Sequence, residues 1–407
     1  MTAERPNGST AEIFLVFLKL GLTSFGGPIA HLGYFRDELV ARRRWIDDAA
    51  YADLVALCQF LPGPASSQVG FAIGTLLGGR IGGIAAWVAF TLPSAALMAL
   101  FAAGVMALGE TQAAWQQGAL KGLKLVALAV VAQAVWGMAR SLCPDRERAT
   151  LAVAAALIVV LGTGVGAGAV AQLAAILLGA LVGAALLRPP AGNGVSHVAA
   201  PYGRRFGLAC LALFFILLAG LPLAASAGDS LMLSAFDSFY RIGSLVFGGG
   251  HVVLPLLQAE VVGPGWVGRE IFIAGYGAAQ AMPGPLFTIA SYLGMMMGGS
   301  VGAGLYGALL VTVAIFLPAG LLMWGALPFW SSLRAHPKAQ SVLMGVNAAV
   351  VGLLLAALYD PVFTTAVTGA RDLAAALVCY AALQFWKAPP WAVVVLAGLV
   401  GAVLYSL

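Results

Sequence analysis

Gln59-Phe60-Leu61-Pro62-Gly63-Pro64 returns 221 residues later as Gln280-Ala281-Met282-Pro283-Gly284-Pro285. Each copy lies inside a long apolar run, and a Pro-Gly-Pro triplet interrupts a helix there because proline lacks an amide donor and clashes with the preceding turn. Working outward, Trp45 recurs as Trp266 at the same offset. With one residue of slippage, Phe17, Gly21, Phe25, Gly26 and Gly27 recur as Phe239, Gly243, Phe247, Gly248 and Gly249 at an offset of 222. Further on, Leu92-Pro93 returns as Leu317-Pro318. So many Gly, Pro, Trp and Gln positions in one order mark an internal duplication.

The solvent of both copies is lipid. Of 407 residues, 61% are hydrophobic and only 9% charged, which no water-soluble domain of this size carries. A helix crosses a ~30 Å hydrocarbon core with about 20 residues, and roughly a dozen runs approach that length. The expected spans include Glu12 to Tyr34, Tyr51 to Leu76, Ile81 to Leu108 and Gly118 to Ala139. Thr150 to Leu187 is too long for one crossing, and its glycines at 162, 164 and 166 suggest two helices. The fold class expected is an all-α polytopic membrane protein of two homologous helical repeats, with broken or re-entrant helices at the Gly-Gly and Pro-Gly-Pro motifs. The first repeat takes residues 1–187, a polar linker 188–205, an extra transmembrane helix 206–228 and the second repeat 229–407. Residues 1–10 are polar and carry no cleavage site, so no removable signal peptide is expected.

Lys and Arg number 21 and gather in short connections such as Arg42-Arg43-Arg44, Arg140 to Arg148 and Arg188 to Arg205. That is positive-inside anchoring, and no polar segment is long enough to build a nucleic-acid surface. Cys58, Cys143, Cys210 and Cys379 have no paired spacing, so neither disulfides nor a metal site is expected. No phosphate-cradling loop and no nucleophile or metal cluster stands out, which argues against an ATP motor, an enzyme or any cofactor.

Duplicated membrane halves that insert in opposite orientation can open a shared site to each side in turn, so transport is the natural use. The basic loops do not alternate cleanly; inverted repeats are the expectation, with parallel repeats as the alternative. The helix breaks at Phe25-Gly26-Gly27 and Phe247-Gly248-Gly249, and those at Pro62-Gly63-Pro64 and Pro283-Gly284-Pro285, leave helix N-termini with free amides, which suit an oxyanion. Gln59, Ser66, Ser67 and Gln68 flank the first Pro-Gly-Pro and Gln280, Thr288 and Ser291 the second, adding neutral polar groups. Lys19 and Arg241 are aligned cations inside spans, Lys121 and Lys124 lie one turn apart, and carboxylates are read as almost missing from these depths. His31 and His251 follow the two Gly-Gly breaks; with Lys124 they are candidates for proton coupling or charge relay, although the two histidines do not align.

Gly21-Leu22-Thr23-Ser24-Phe25-Gly26-Gly27-Pro28, His31, Arg43-Arg44-Trp45 and Leu57-Cys58-Gln59-Phe60-Leu61-Pro62-Gly63-Pro64 with Ser66-Ser67-Gln68 together resemble the chromate ion transporter family. Phe247-Gly248-Gly249-Gly250-His251, Pro255 and Ala281-Met282-Pro283-Gly284-Pro285 resemble its second repeat. The resemblance implies the long, two-domain form, antiparallel repeats, and export of chromate across the bacterial cytoplasmic membrane with chromate resistance. Sulfate or another dianion is the alternative substrate, and a homodimer is compatible with this reading.

Overall fold

The computed structural model describes residues 9–25, 27–107, 114–164, 168–188, 200–228, 230–246, 253–297, 301–330 and 336–404, and every regular element among them is helical. The first copy comprises α1 (Thr10–Thr23), α2 (Gly27–Phe35) prolonged by a π-helical turn Arg36–Arg42, α3 (Asp48–Phe60), α4 (Ala65–Ala107), α5 (Ala114–Leu142), α6 (Arg146–Gly164) and α7 (Gly168–Leu186). After α8 (Arg204–Ser226) the order repeats as α9 (Leu231–Leu245), α10 (Val253–Leu257) with its π-helical turn Gln258–Val262, and α11 (Arg269–Ala279). It ends with α12 (Ile289–Met297), α13 (Val301–Ala326), α14 (Pro337–Ala357), α15 (Ala370–Gln384) and α16 (Pro390–Leu404). Among the described residues six helices are long and apolar enough to cross a membrane: α4, α5, α6, α8, α13 and α14. The expected break in Thr150 to Leu187 separates α6 from α7, and residues 165–167 lie outside the described ones.

Two expected spans are hairpins instead. Glu12 to Tyr34 is not one crossing: α1 runs in, and α2 with its π turn runs back beside it, so that Glu12 at the start of α1 meets Arg43 beyond the turn at 2.9 Å. Phe17 packs edge-on to Phe35 within the same hairpin. Tyr51 to Leu76 likewise divides at Pro62-Gly63-Pro64 into α3 and the first arm of α4. In the second copy the corresponding reversal is seen in Tyr292 of α12, whose hydroxyl donates to the Ile271 carbonyl in the first turn of α11 at 3.0 Å. α3 has 13 residues, about 20 Å of helix against a ~30 Å core, so one arm alone cannot cross.

α4 itself is two helices, 65–77 and 80–107, folded back at Gly78-Gly79, where Gly79 takes φ +63°. Gly74 and Gly82 bring the two arms together backbone to backbone, since a Cβ on either would strike the other's carbonyl oxygen. Gly294 of α12 and Gly307 of α13 make the same close approach in the second copy. Small residues allow this contact where lipid supplies no hydrophobic drive between helices.

The copies are interlocked. α5 packs against α15 and α16 of the second copy, and α14 packs against α6 and α7 of the first. The seats are small residues again: Gly118 and Gly122 on α5 receive Gly401 and Ala397 of α16, and Ser341 and Gly345 on α14 receive Gly183 and Gly179 of α7. Each copy thus contributes its last two helices to the other's flank. α8 turns Leu208, Leu213, Phe215, Ile216 and Leu223 outward, as a helix facing lipid does.

Candidate functional site

The helix breaks of the two copies meet at the centre. Leu61 to Pro64 cannot continue α3, and Gly63 takes φ +123°; at the matching place Gly284 takes φ +94°, a region open to glycine and strained for other residues. The two turns then reach across to the opposite copy. The Gly63 N–H donates to the Val246 carbonyl at the end of α9 at 2.7 Å, and the Gly284 N–H donates to the Ser24 carbonyl at the end of α1 at 2.8 Å. A Cβ on Gly63 would meet Ala319, next to Pro318, while one on Gly284 would meet Ser94, next to Pro93. The contacts are therefore reciprocal, each Pro-Gly-Pro tip bonded to the end of the other copy's first helix and set against that copy's proline-containing helix.

These bonds change the expected donor set. The Gly63 and Gly284 amides, read as free for an oxyanion, are both satisfied by carbonyls here. The Gln68 amide donates to the Pro62 carbonyl at 2.8 Å and the Thr288 hydroxyl to the Pro285 carbonyl at 2.8 Å, each closing its own turn. Ser66 Oγ lies 3.2 Å from His31 Nδ1, and Ser291 donates to the Ala95 carbonyl. Gln59 is exposed on the last turn of α3, whereas the Nε2 of Gln280 is buried and finds no partner among the described residues. Gly27 opens α2 at φ +79°, and Phe25 packs at 6.2 Å from the Trp391 ring. Gly26, Gly248, Gly249 and His251 lie outside the described residues.

The aligned cations are not alone. Lys19 pairs with Glu38 at 3.1 Å and Arg241 with Glu260 at 2.9 Å, so carboxylates do accompany them, contrary to the sequence reading. Glu38 and Glu260 stand at the same offset of 222, a signal the sequence held. Glu38 also receives Arg42, the last residue of the π turn, and Arg43 just beyond it at the hairpin base. Burial opposes its ionisation, yet hydrogen bonds from Arg43, Lys19 and Arg42 outweigh this and hold the carboxyl down to about 2. Arg241 is held further by Asp237, at 3.0 Å. Lys121 pairs with Asp372 of α15 at 2.9 Å, and Lys124 reaches Glu270 of α11 at 3.4 Å.

Beside the first Pro-Gly-Pro tip a cavity of about 220 Å³ opens between α4 and α13. Its wall is mostly apolar, with Phe71, Phe316 and Trp324, but Ser67, Gln68 and Trp87 also line it. The Ser67 hydroxyl, Gln68 Oε1 and Trp87 Nε1 are buried without partners among the described residues. In the second copy Phe101 stacks on Tyr292, the residue that matches Phe71, at 5.6 Å. α11 also lies against α5, whereas among the described residues α3 has no comparable seat on α14. Among the described residues no group of His, Cys, Asp and Glu could hold a metal ion.

The chromate transporter family model matches residues 11–184 and again 233–402, one match on each copy. The chain belongs to the chromate transporter family. The chromate transport protein of Pseudomonas aeruginosa is 31% identical over 98% of this chain and 94% of its own length. The chromate transport protein of Cupriavidus metallidurans is 27% identical, over 99% and 95%. The probable chromate transport protein of Synechococcus elongatus is 26% identical, over 98% and 97%. No solved structure matches the chain. A two-repeat, multi-pass helical membrane protein is thus established by the helices and the family together.

Proposed function

We propose that this chromate transporter is a secondary carrier that exports chromate across the bacterial cytoplasmic membrane by alternating access and so confers chromate resistance. The observation that carries the reading is the reciprocal pair of bonds, Gly63 to Val246 and Gly284 to Ser24, which ties the helix breaks of one copy to those of the other. A shared centre built from two exchanging halves is what alternating access needs. The unequal packing of the halves supports it further: the α11–α12 hairpin is seated against α5, while a cavity remains beside the α3–α4 turn.

Inverted repeats fit the charges at the hairpin bases. Arg36, Arg42, Arg43 and Arg44 crowd the first, whereas the second carries Arg269 beside Glu260 and Glu270. Under the positive-inside rule the two bases face opposite sides, and α8 supplies the additional crossing that reverses the second copy. In our reading the anion occupies the cavity side of the centre. Ser67 and Trp87, with Gln59, Gln280 and Ser66, donate to its oxygens as the tips rearrange, and backbone near Gly26, Gly27, Gly248 and Gly249 completes the shell. Lys19 contributes positive field, since with Arg42 and Arg43 it outnumbers Glu12 and Glu38, whereas Arg241 offsets the charge of Asp237 and Glu260 beside it. A membrane potential negative inside favours anion exit by about 2.3 kcal/mol per charge per 100 mV.

Chromate uptake into inverted vesicles under an imposed inside-positive potential tests the proposal. Voltage-dependent accumulation that sulfate fails to compete supports chromate as the substrate; equal competition by sulfate favours a general dianion carrier, the second reading that neutral hydroxyl and indole donors leave open. No accumulation in either vesicle orientation would sink both.

A further inference from the structure

The two central bonds are alike in backbone and unlike in chemistry. Around the Gly284–Ser24 bond the first copy places Ser24, His31, Ser66 and Ser94, all buried. Around the Gly63–Val246 bond, the offsets that align the repeated motifs put Val246, Val253, Phe287 and Ala319 in those places, also buried. At these four places one junction is polar and the other is hydrocarbon, the amide of Gln68 closing the Gly63 turn itself. Burying polar groups costs free energy, so a junction that only packs has no use for an imidazole and three hydroxyls.

His31 is 1% exposed. Its Nδ1 faces Ser66 Oγ, its ring meets Phe90 of α4 edge-on at 5.5 Å, and it lies beside the Ser24 backbone. Its Nε2 has no partner among the described residues. The Ser24 carbonyl next to it is the one that holds the second copy's Gly284. Among the titratable groups on elements packed against α2, the Tyr51 hydroxyl of α3 donates to the Leu32 carbonyl, and Lys19, Glu38, Arg42 and Arg43 pair among themselves at the hairpin base. No charged side chain among the described residues acts on the ring itself.

Building on the transport reading above, we propose that His31 is a proton switch of the carrier, acting on the bond between the two copies. With Nδ1–H donating to Ser66, Nε2 takes a proton from water on the side to which the carrier is open. The imidazolium then holds a second N–H donor, which competes with Gly284 for the Ser24 carbonyl and loosens that bond. When the carrier has turned, Nε2 returns the proton to water on the other side; only an N–H bond has formed and broken. His31 moves one proton per cycle, and among its described residues the junction at Val253 holds no second titratable side chain.

The test uses the full chain in proteoliposomes, with chromate read by its own absorbance and internal pH by a trapped dye. His31→Asn keeps a donor for Ser66 and removes the titrating nitrogen; His31→Gln does so with the longer reach. Expected for the parent is one proton moved per chromate. Expected for both variants is slower chromate flux that no longer varies with pH and a loss of chromate-linked proton movement. Proton movement in either variant equal to the parent's, or a parent that moves chromate without protons, overturns the proposal. If neither variant inserts, the parent's ratio decides, one supporting and zero overturning. Absence of any chromate flux in the parent would instead count against the transport reading, and that readout does not depend on the dye.

Discussion

Glu38 gathers Lys19, Arg42 and Arg43 at the base of the first hairpin. Removing its charge in Glu38→Gln leaves three cations facing one another. All three remain partly exposed, so the loss is about 1 to 2 kcal/mol rather than the 3 to 5 of a fully buried pair. Thermal unfolding in detergent measures it, and a melting temperature equal to the parent's would dismiss the cluster as a brace. The pH dependence follows from the depressed carboxyl. Its contribution is complete above 4.5 and fades as pH falls toward about 2, because the unfolded chain takes up the proton first. At the tips, Gly284→Ala forces a side chain into φ +94° and against Ser94 Oγ. The backbone strain is about 1 to 2 kcal/mol, so the variant is expected to assemble yet transport poorly, and chromate flux per assembled molecule reports it. These residue-scale features were legible because a positive φ and a helix break each demand glycine or proline locally. The pairing of Lys19 with Glu38 was not read, since it joins residues 19 apart through a reversal that local pattern does not announce.

At the scale of elements, helix breaks were legible and helix directions were not. A Pro-Gly-Pro triplet says that α3 stops, but an in-line break and a hairpin have the same composition; the reversal rests on contacts such as Tyr292 to Ile271. The interlocking of α5 with α16 and of α14 with α7 was equally silent. In lipid both the protein-facing and the outward-facing surfaces of a helix are apolar, so hydrophobic periodicity does not mark the packed side. What marks it are the glycines. A leucine at Gly122 would drive into the Ala397 carbonyl, and one at Gly345 into that of Gly179. Either substitution is expected to separate the copies' flanks and abolish a monodisperse peak in size-exclusion chromatography. Leucine at Gly104, where an added Cβ meets nothing within 4 Å among the described residues, is the control expected to behave as the parent.

Across the whole molecule, pseudo-symmetry holds in the tips and in the interlocked last helices and fails where α11 lies on α5 but α3 does not lie on α14, and the failure locates the moving parts. Lys124 on α5 reaches Glu270 on α11, and Arg269 reaches Asp360, so the second hairpin is tethered. The register that matches Gly122 with Gly345 places Asn347 opposite Lys124, and the offset of Trp45 to Trp266 places Ala49 opposite Glu270. Among the described residues α3, which carries Ala49, has no comparable seat on α14, which carries Asn347, and Asp48 beside it pairs with Arg36 at 2.7 Å. If the halves exchange conformations, α3 must take the seat on α14 that α11 now holds on α5. After replacement of Cys58, Cys143, Cys210 and Cys379 by serine, Lys124→Cys with Glu270→Cys is expected to cross-link in the resting protein and stop flux until reduced. Asn347→Cys with Ala49→Cys is expected to cross-link mainly during turnover, and to stop flux as well. A molecule whose second pair never joins, or which conducts with either pair joined, has no exchange between its halves and works as a fixed pore.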